Sequence, residues 1–175
     1  MYNTVTLILS AFFIVVSISV LSTAELKLVS QEYNIIINAW ARDINGTENA
    51  DNITGTTNKD IIKGLGGNDT ITGRGGEDNI SGGSGDDTIY GNEERDFLKG
   101  RTGNDSIEGG IGDDKIFGEI GNDMLVGGPD NDTLTGGRGK DIFICGTGED
   151  TITDFDKIQR DTIPKKDCEN IDRIE

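Results

Sequence analysis

The stretch Gly82-Gly83-Ser84-Gly85-Asp86-Asp87-Thr88-Ile89-Tyr90 decides the architecture, because its pattern recurs before and after it at a spacing of nine. From residue 46 to residue 153 the chain divides into twelve consecutive nine-residue units without insertion or deletion. Position six is Asp in all of them: Asp51, Asp60, Asp69, Asp78, Asp87, Asp96, Asp105, Asp114, Asp123, Asp132, Asp141 and Asp150. Position eight is always large and apolar: Ile53, Ile62, Ile71, Ile80, Ile89, Leu98, Ile107, Ile116, Leu125, Leu134, Phe143 and Ile152. A fixed short period of this kind marks a solenoid, in which each repeat buries its apolar face against its neighbours.

Position one is Gly in eleven units, and Cys145 replaces it in the last. Position four is Gly67, Gly76, Gly85, Gly103, Gly112, Gly121, Gly139 or Gly148, with Asn49, Asn58, Glu94 and Asp130 as the exceptions. All 26 glycines of the chain fall inside the units. Gly admits positive φ and close approach of backbone to a ligand. Asn and Asp tolerate left-handed backbone where Glu does not, so the Glu94 loop is expected to be the weakest of the middle array. The last three positions, as in Thr70-Ile71-Thr72 or Thr133-Leu134-Thr135, suit a short strand whose middle residue points inward.

With 33% apolar residues among 175, the chain is poor in core-forming side chains. The formal net charge of −16 excludes a nucleic-acid partner, which needs a basic surface, and makes cations the natural counterpart. No His and only two Cys serve Zn²⁺ badly. The same lack of His removes the usual Ser-His-Asp and His-based zinc hydrolase sites. Short flanks, 21 residues after a cleaved leader and 22 after the repeats, leave no room for a catalytic domain, so no enzyme is expected. Asp as a mere turn former is the competing reading. Position five, where Asn68, Asp86, Asn104, Asp113, Asn122 and Asn131 mix with Lys, Arg and Glu, shows the tolerance expected of turns, whereas position six shows none.

These nonamers resemble the RTX, or hemolysin-type, calcium-binding nonapeptide G-G-x-G-x-D-x-U-x, over about 108 of the 175 residues. The resemblance implies an all-β, right-handed parallel β-roll, in which two units make one 18-residue coil and twelve units make six coils. The Asp residues then form two columns, one per edge. Neighbouring carboxylates at about 4.8 Å repel by roughly 0.9 kcal/mol in bulk water and about 3.5 kcal/mol at an effective dielectric of 20. A divalent ion between coils reverses that sign, and Ca²⁺, which takes six to eight hard oxygen ligands at about 2.3–2.6 Å, suits carboxylates and carbonyls better than Mg²⁺ does. Carried over from the family, each ion lies between loops of adjacent coils. The ligand pairs are Asp51/Asp69, Asp69/Asp87, Asp87/Asp105, Asp105/Asp123 and Asp123/Asp141 on one edge, and Asp60/Asp78 through Asp132/Asp150 on the other. This set gives a ceiling of about ten ions. Sites at the Asn49, Asn58 and Glu94 loops are expected to be weak or empty, and removal of calcium is expected to unfold the repeats.

Residues 1–24 carry no charged side chain and read as a secretory signal peptide ending in Ser22-Thr23-Ala24; a membrane anchor through residues 5–22 is the alternative. Residues 25–45, with the apolar stretch 33–40, are expected to cap the first coil, and 154–175 to cap the last. Met124, Val126, Ile142 and Ile144 are expected to form an outward apolar patch covered by Phe155, Ile158 and Ile163 of the tail. A disulfide between Cys145 and Cys168 is expected to staple that tail in an oxidising compartment, with two free thiols as the alternative. The Asn-x-Ser/Thr sequons at Asn45, Asn52, Asn68, Asn79, Asn104 and Asn131 read as by-products of the repeat. The expected function is calcium binding by a secreted structural, cell-surface or matrix module. A non-catalytic remnant or accessory of an RTX enzyme or toxin system is the alternative.

Overall fold

The structure is a computed structural model describing residues 4–9, 14–19, 43–157, 159–164 and 168–174. The chain separates into two compact units, residues 1–35 and 36–175. In the first, strands β1 (Thr4–Leu9) and β2 (Ile14–Ser19) pair antiparallel, with Thr4 opposite Ser19 and Leu9 opposite Ile14. No helix among the described residues is long and apolar enough to cross a membrane. The stretch 33–40 and Ile158 lie outside the described residues.

The second unit is an all-β parallel solenoid of about seven turns, built from two sheets. One holds β4 (Asn52–Thr54), β6 (Thr70–Gly75), β8 (Thr88–Glu93), β10 (Ser106–Ile111), β12 (Met124–Pro129) and β14 (Ile142–Thr147), stacked in that order. The other stacks β3 (Asp43–Asn45), β5 (Ile61–Gly66), β7 (Asn79–Ser84), β9 (Phe97–Thr102), β11 (Lys115–Ile120), β13 (Thr133–Arg138), β15 (Thr151–Asp156) and β16 (Asn170–Ile174). Pairing is in register at eighteen residues, with Ile71 opposite Ile89 in the first sheet and Ile80 opposite Leu98 in the second. Position eight points inward throughout, and Ile62 through Phe143 have no accessible surface.

Two features go beyond the repeat. The strands from β5 to β15 are six residues long, not three, because pairing continues through positions one to three of the next unit. Position one also points inward, and inside the stack it has no room for a Cβ: at Gly64 a Cβ would collide with Asp69 Oδ2 and the Gly82 carbonyl oxygen, whereas Cys145 takes this position, fully buried, in the last unit. The flanks also join the stack. Ile44 of β3 extends the buried column, and β16 adds a last strand beside β15.

Cys145 and Cys168 are bonded, with their Cα atoms 5.3 Å apart. The tail does not wrap the outward patch as expected. Met124 remains 38% exposed, while Phe155 lies 6.3 Å from the Phe143 ring between centroids and Ile163, Cys168 and Ile171 pack against the core. The open end of the interior, with Phe143 and Ile152 at its rim, offers more apolar burial than the flat outer face. The unpaired edge of β14 also recruits Thr162, whose carbonyl accepts the Phe143 N–H at 3.0 Å. A second outward apolar contact joins Phe97 and Phe117, whose tilted rings lie 5.1 Å apart between centroids, with Lys99 Nζ 4.9 Å from the Phe97 centroid.

Candidate metal centre

The position-six side chains form two ladders along the edges of the solenoid. Each Asp N–H donates to Oδ1 of the Asp eighteen residues later, from Asp51 to Asp69 at 2.8 Å and Asp60 to Asp78 at 2.7 Å through Asp123 to Asp141 and Asp132 to Asp150 at 2.9 Å. Asp60 and every later Asp of the two columns are at most 2% exposed. This bond is a structural duty that the sequence reading did not foresee: Asp at this position ties coil to coil as well as facing its loop.

The second oxygen has a different fate. Oδ2 of Asp69, Asp78, Asp87, Asp96, Asp105, Asp114, Asp123, Asp132 and Asp141 is buried and accepts no hydrogen bond among the described residues. Burial pushes these carboxyls up from 3.8, against the lowering effect of the incoming N–H. Asp69, Asp114, Asp123 and Asp141 rise to about 6, Asp78, Asp96 and Asp105 to about 7, and Asp132 to about 8. Charged neighbours add to the rise, for example Asp123 and Asp87 beside Asp105. A buried acceptor without a donor costs about 1–3 kcal/mol, more when charged.

The glycines expected at position four all adopt positive φ, from 96° at Gly67 and 100° at Gly76 through 118° at Gly85, 133° at Gly103, 132° at Gly112, 152° at Gly121 and 139° at Gly139. A Cβ on Gly85 would run into the Gly67 carbonyl oxygen of the coil before it, and Gly103 meets Gly85 likewise. Glu94 takes the same left-handed conformation, φ 71°, as does Asp130 at 79°. Its loop therefore keeps the geometry of its neighbours. Position two is also left-handed in every unit from the third onward, including Leu65 (82°), Arg74 (87°), Asn92 (87°), Arg101 (90°) and Glu119 (78°). For such residues the conformation costs roughly 1–2 kcal/mol.

The first two units are built differently. Asn49 and Asn58 are not left-handed, and neither are Thr47 and Thr56. Thr47 donates its N–H to Asp51 Oδ2 at 2.6 Å and its hydroxyl to the same oxygen at 2.9 Å. Thr56 does the same to Asp60 Oδ2 at 2.6 and 3.0 Å. The only sequence signal was the Thr-x-Asn-x-Asp pattern that these two units share.

Position five makes a second ladder running the opposite way. The N–H of Asp86 donates to Asn68 Oδ1 at 3.0 Å, Asn104 to Asp86 at 2.7 Å, and Asn122 to Asn104 at 2.9 Å; Asn131 donates to Asp113 at 3.0 Å on the other edge. Where the column carries charge instead, Glu77 Oε1 meets Arg95 Nη2 at 2.8 Å and Glu77 Oε2 meets Lys59 Nζ at 3.8 Å. Past the repeats, Asp161 accepts the Asp141 N–H at 3.0 Å and Glu169 accepts the Asp150 N–H at 3.1 Å, so the tail supplies one more rung to each column. Gln159 Oε1 takes the Gly139 N–H at 2.8 Å, and Asp154 takes those of Gly136 and Gly137 at 2.9 and 2.7 Å.

Comparison with known proteins agrees with this geometry. The family model described as RTX calcium-binding nonapeptide repeat (4 copies) matches residues 45–80, 54–89, 90–125 and 117–152. The chain belongs to the RTX calcium-binding nonapeptide repeat family. No curated protein matches the chain.

The residues of this RTX roll fit the ion that the family implies. Among the described residues no three acids converge on one point, so an ion here would draw on no more than two carboxylates and on backbone carbonyls. Such groups are present together: a Cβ at Gly73 would touch both Asp78 Oδ2 and the Gly91 carbonyl oxygen, and at Gly109 both Asp114 Oδ2 and the Gly127 carbonyl oxygen. A hard, unpaired carboxylate oxygen and a carbonyl oxygen thus border the same small space in successive coils. That donor set is the one Ca²⁺ prefers.

Proposed function

We propose that this protein is a secreted, non-catalytic RTX module whose roll folds around calcium and serves as an extracellular structural element. The observation that carries this reading is the row of buried Asp Oδ2 atoms without donors on both edges. A folded roll that leaves them bare combines desolvated charge, mutual repulsion and left-handed backbone at positions two and four, with only the inward position-eight side chains to set against them. Calcium, when bound, supplies positive charge to the oxygens of position six. The candidate ligands are the twelve position-six carboxylates with loop carbonyls at Gly67, Gly76, Gly85, Gly103, Gly112, Gly121 and Gly139, and about ten ions are the upper bound.

Support for an extracellular location comes from the Cys145–Cys168 disulfide, which fits an oxidising compartment, and from the uncharged residues 1–24 read as a cleaved leader. Ten divalent ions would take the formal charge from −16 to about +4, so surface association would itself depend on calcium. Isothermal titration of the purified chain with CaCl₂ and, separately, MgCl₂ tests the reading. Several calcium ions per chain with heat far exceeding that for magnesium is the expected result. Equal, weak signals from both salts would overturn it.

A further inference from the structure

We propose that Thr47 and Thr56 take the place of the cation in their own loops, so that the first coil closes without calcium and no ion is held at the Asp51/Asp69 and Asp60/Asp78 steps. The inference rests on the calcium reading above and narrows it to the loops from the third unit onward.

Three independent features of the first coil point the same way. Asp51 Oδ2 and Asp60 Oδ2 each accept two hydrogens, from the amide and the hydroxyl of the Thr four residues earlier. The hydroxyl is held in place from behind, because Thr47 Oγ1 accepts the Asn49 N–H at 3.2 Å and Thr56 Oγ1 accepts the Asn58 N–H at 3.1 Å. Neither loop uses left-handed backbone at position two or four, so neither stores the strain found at Leu65 or Arg74. A carboxylate oxygen with two short donors and a relaxed loop has little to gain from a cation, and that cation would have to displace the Thr hydroxyl. Thr is the determinant: it alone, at position two, adds a hydroxyl that reaches Oδ2 across the turn.

The consequence is an array whose N-terminal coil is fixed by the protein's own hydrogen bonds and offers an ordered edge on which the calcium-requiring coils stack. The ceiling on bound ions falls by two, from about ten to about eight.

Native mass spectrometry of the full chain in saturating Ca²⁺ counts the ions directly. The wild type is expected to hold no more than about eight ions. Thr47→Gly with Thr56→Gly, which removes the hydroxyl donor from both oxygens and permits left-handed backbone, is expected to bind up to two more, while Thr→Ser at both positions keeps the wild-type count. A wild-type count above about eight overturns the proposal even if the Gly variant does not fold. An unchanged count in a Gly variant that circular dichroism shows to be folded overturns it as well. The pair Asp87→Asn and Asp96→Asn must lower the count; if it does not, the calcium reading fails rather than the role of Thr.

Discussion

Asp105 shows at the scale of one residue what the position-six side chain does. Its Oδ1 receives the Asp87 N–H at 2.9 Å, its Oδ2 receives nothing among the described residues, and burial holds its carboxyl at about 7. Its neighbours share the pattern, up to about 8 at Asp132. The linkage has a definite sign. These folded-state values lie above the ordinary 3.8, so without calcium the folded roll holds protons that the unfolded chain releases. Their contribution to stability is full below about pH 4 and is lost as pH rises through about 6 to 8. In chelator the β signal in circular dichroism is therefore expected to be larger at pH 5 than at pH 8, with protons standing in for metal. In saturating calcium the order reverses, because protons and ions compete for the same oxygens. Equal or smaller β signal at pH 5 in chelator would contradict this account of the orphan oxygens.

At the scale of the element, the unit is one strand and one loop, and the repeat made most of it legible. Position eight could be placed inward because Ile53, Ile71 and Ile80 recur with only polar residues on either side, and an inward column is what alternation requires. Strand length was not legible. Positions one to three of each unit are Gly-rich and look like turn, and only their pairing with an identical coil turns them into strand. The direction of the ladders was equally hidden: that Asn104 reaches back to the Asp86 side chain while the Asp87 N–H reaches forward to Asp105 depends on backbone orientation, not residue type. Thr47 and Thr56 could have been noticed as a shared pattern, but nothing in the letters says that a hydroxyl meets Oδ2. The tail was read half correctly, since Cys168 does bond Cys145, yet β16 and Thr162 extend the sheets instead of covering Met124. A bond spanning 23 residues constrains the unfolded chain by roughly 3 kcal/mol. Cys145→Ser with Cys168→Ser is expected to lose about that much in urea melts at saturating calcium, with β16 amides exchanging faster. A tail that stays equally protected without the bond would show that packing of Phe155 and Ile171 suffices to hold it.

For the whole molecule, the two ends and the middle obey different rules. At the N-terminal end Thr donors satisfy Oδ2 of the first two carboxylates, while Asp60 Oδ1 is buried and accepts no hydrogen bond among the described residues. At the other end Asp161, Glu169, Asp154 and Gln159 receive the backbone donors of the final loops. Between them lie coils whose Asp Oδ2 atoms accept no hydrogen bond among the described residues, in a chain carrying −16 and only a thin column of inward apolar side chains from each sheet for a core. Such a middle draws little stability from burial, since position eight sends one large apolar side chain inward in every nine residues. In the proposed reading metal supplies the rest, and binding and folding are one event. The most direct measurement is far-UV circular dichroism of the full chain at pH 8, first in chelator and then in millimolar Ca²⁺. A spectrum that changes from largely unfolded to strongly β as calcium is added is the predicted result. An identical β spectrum under both conditions would show that the roll stands without its ions.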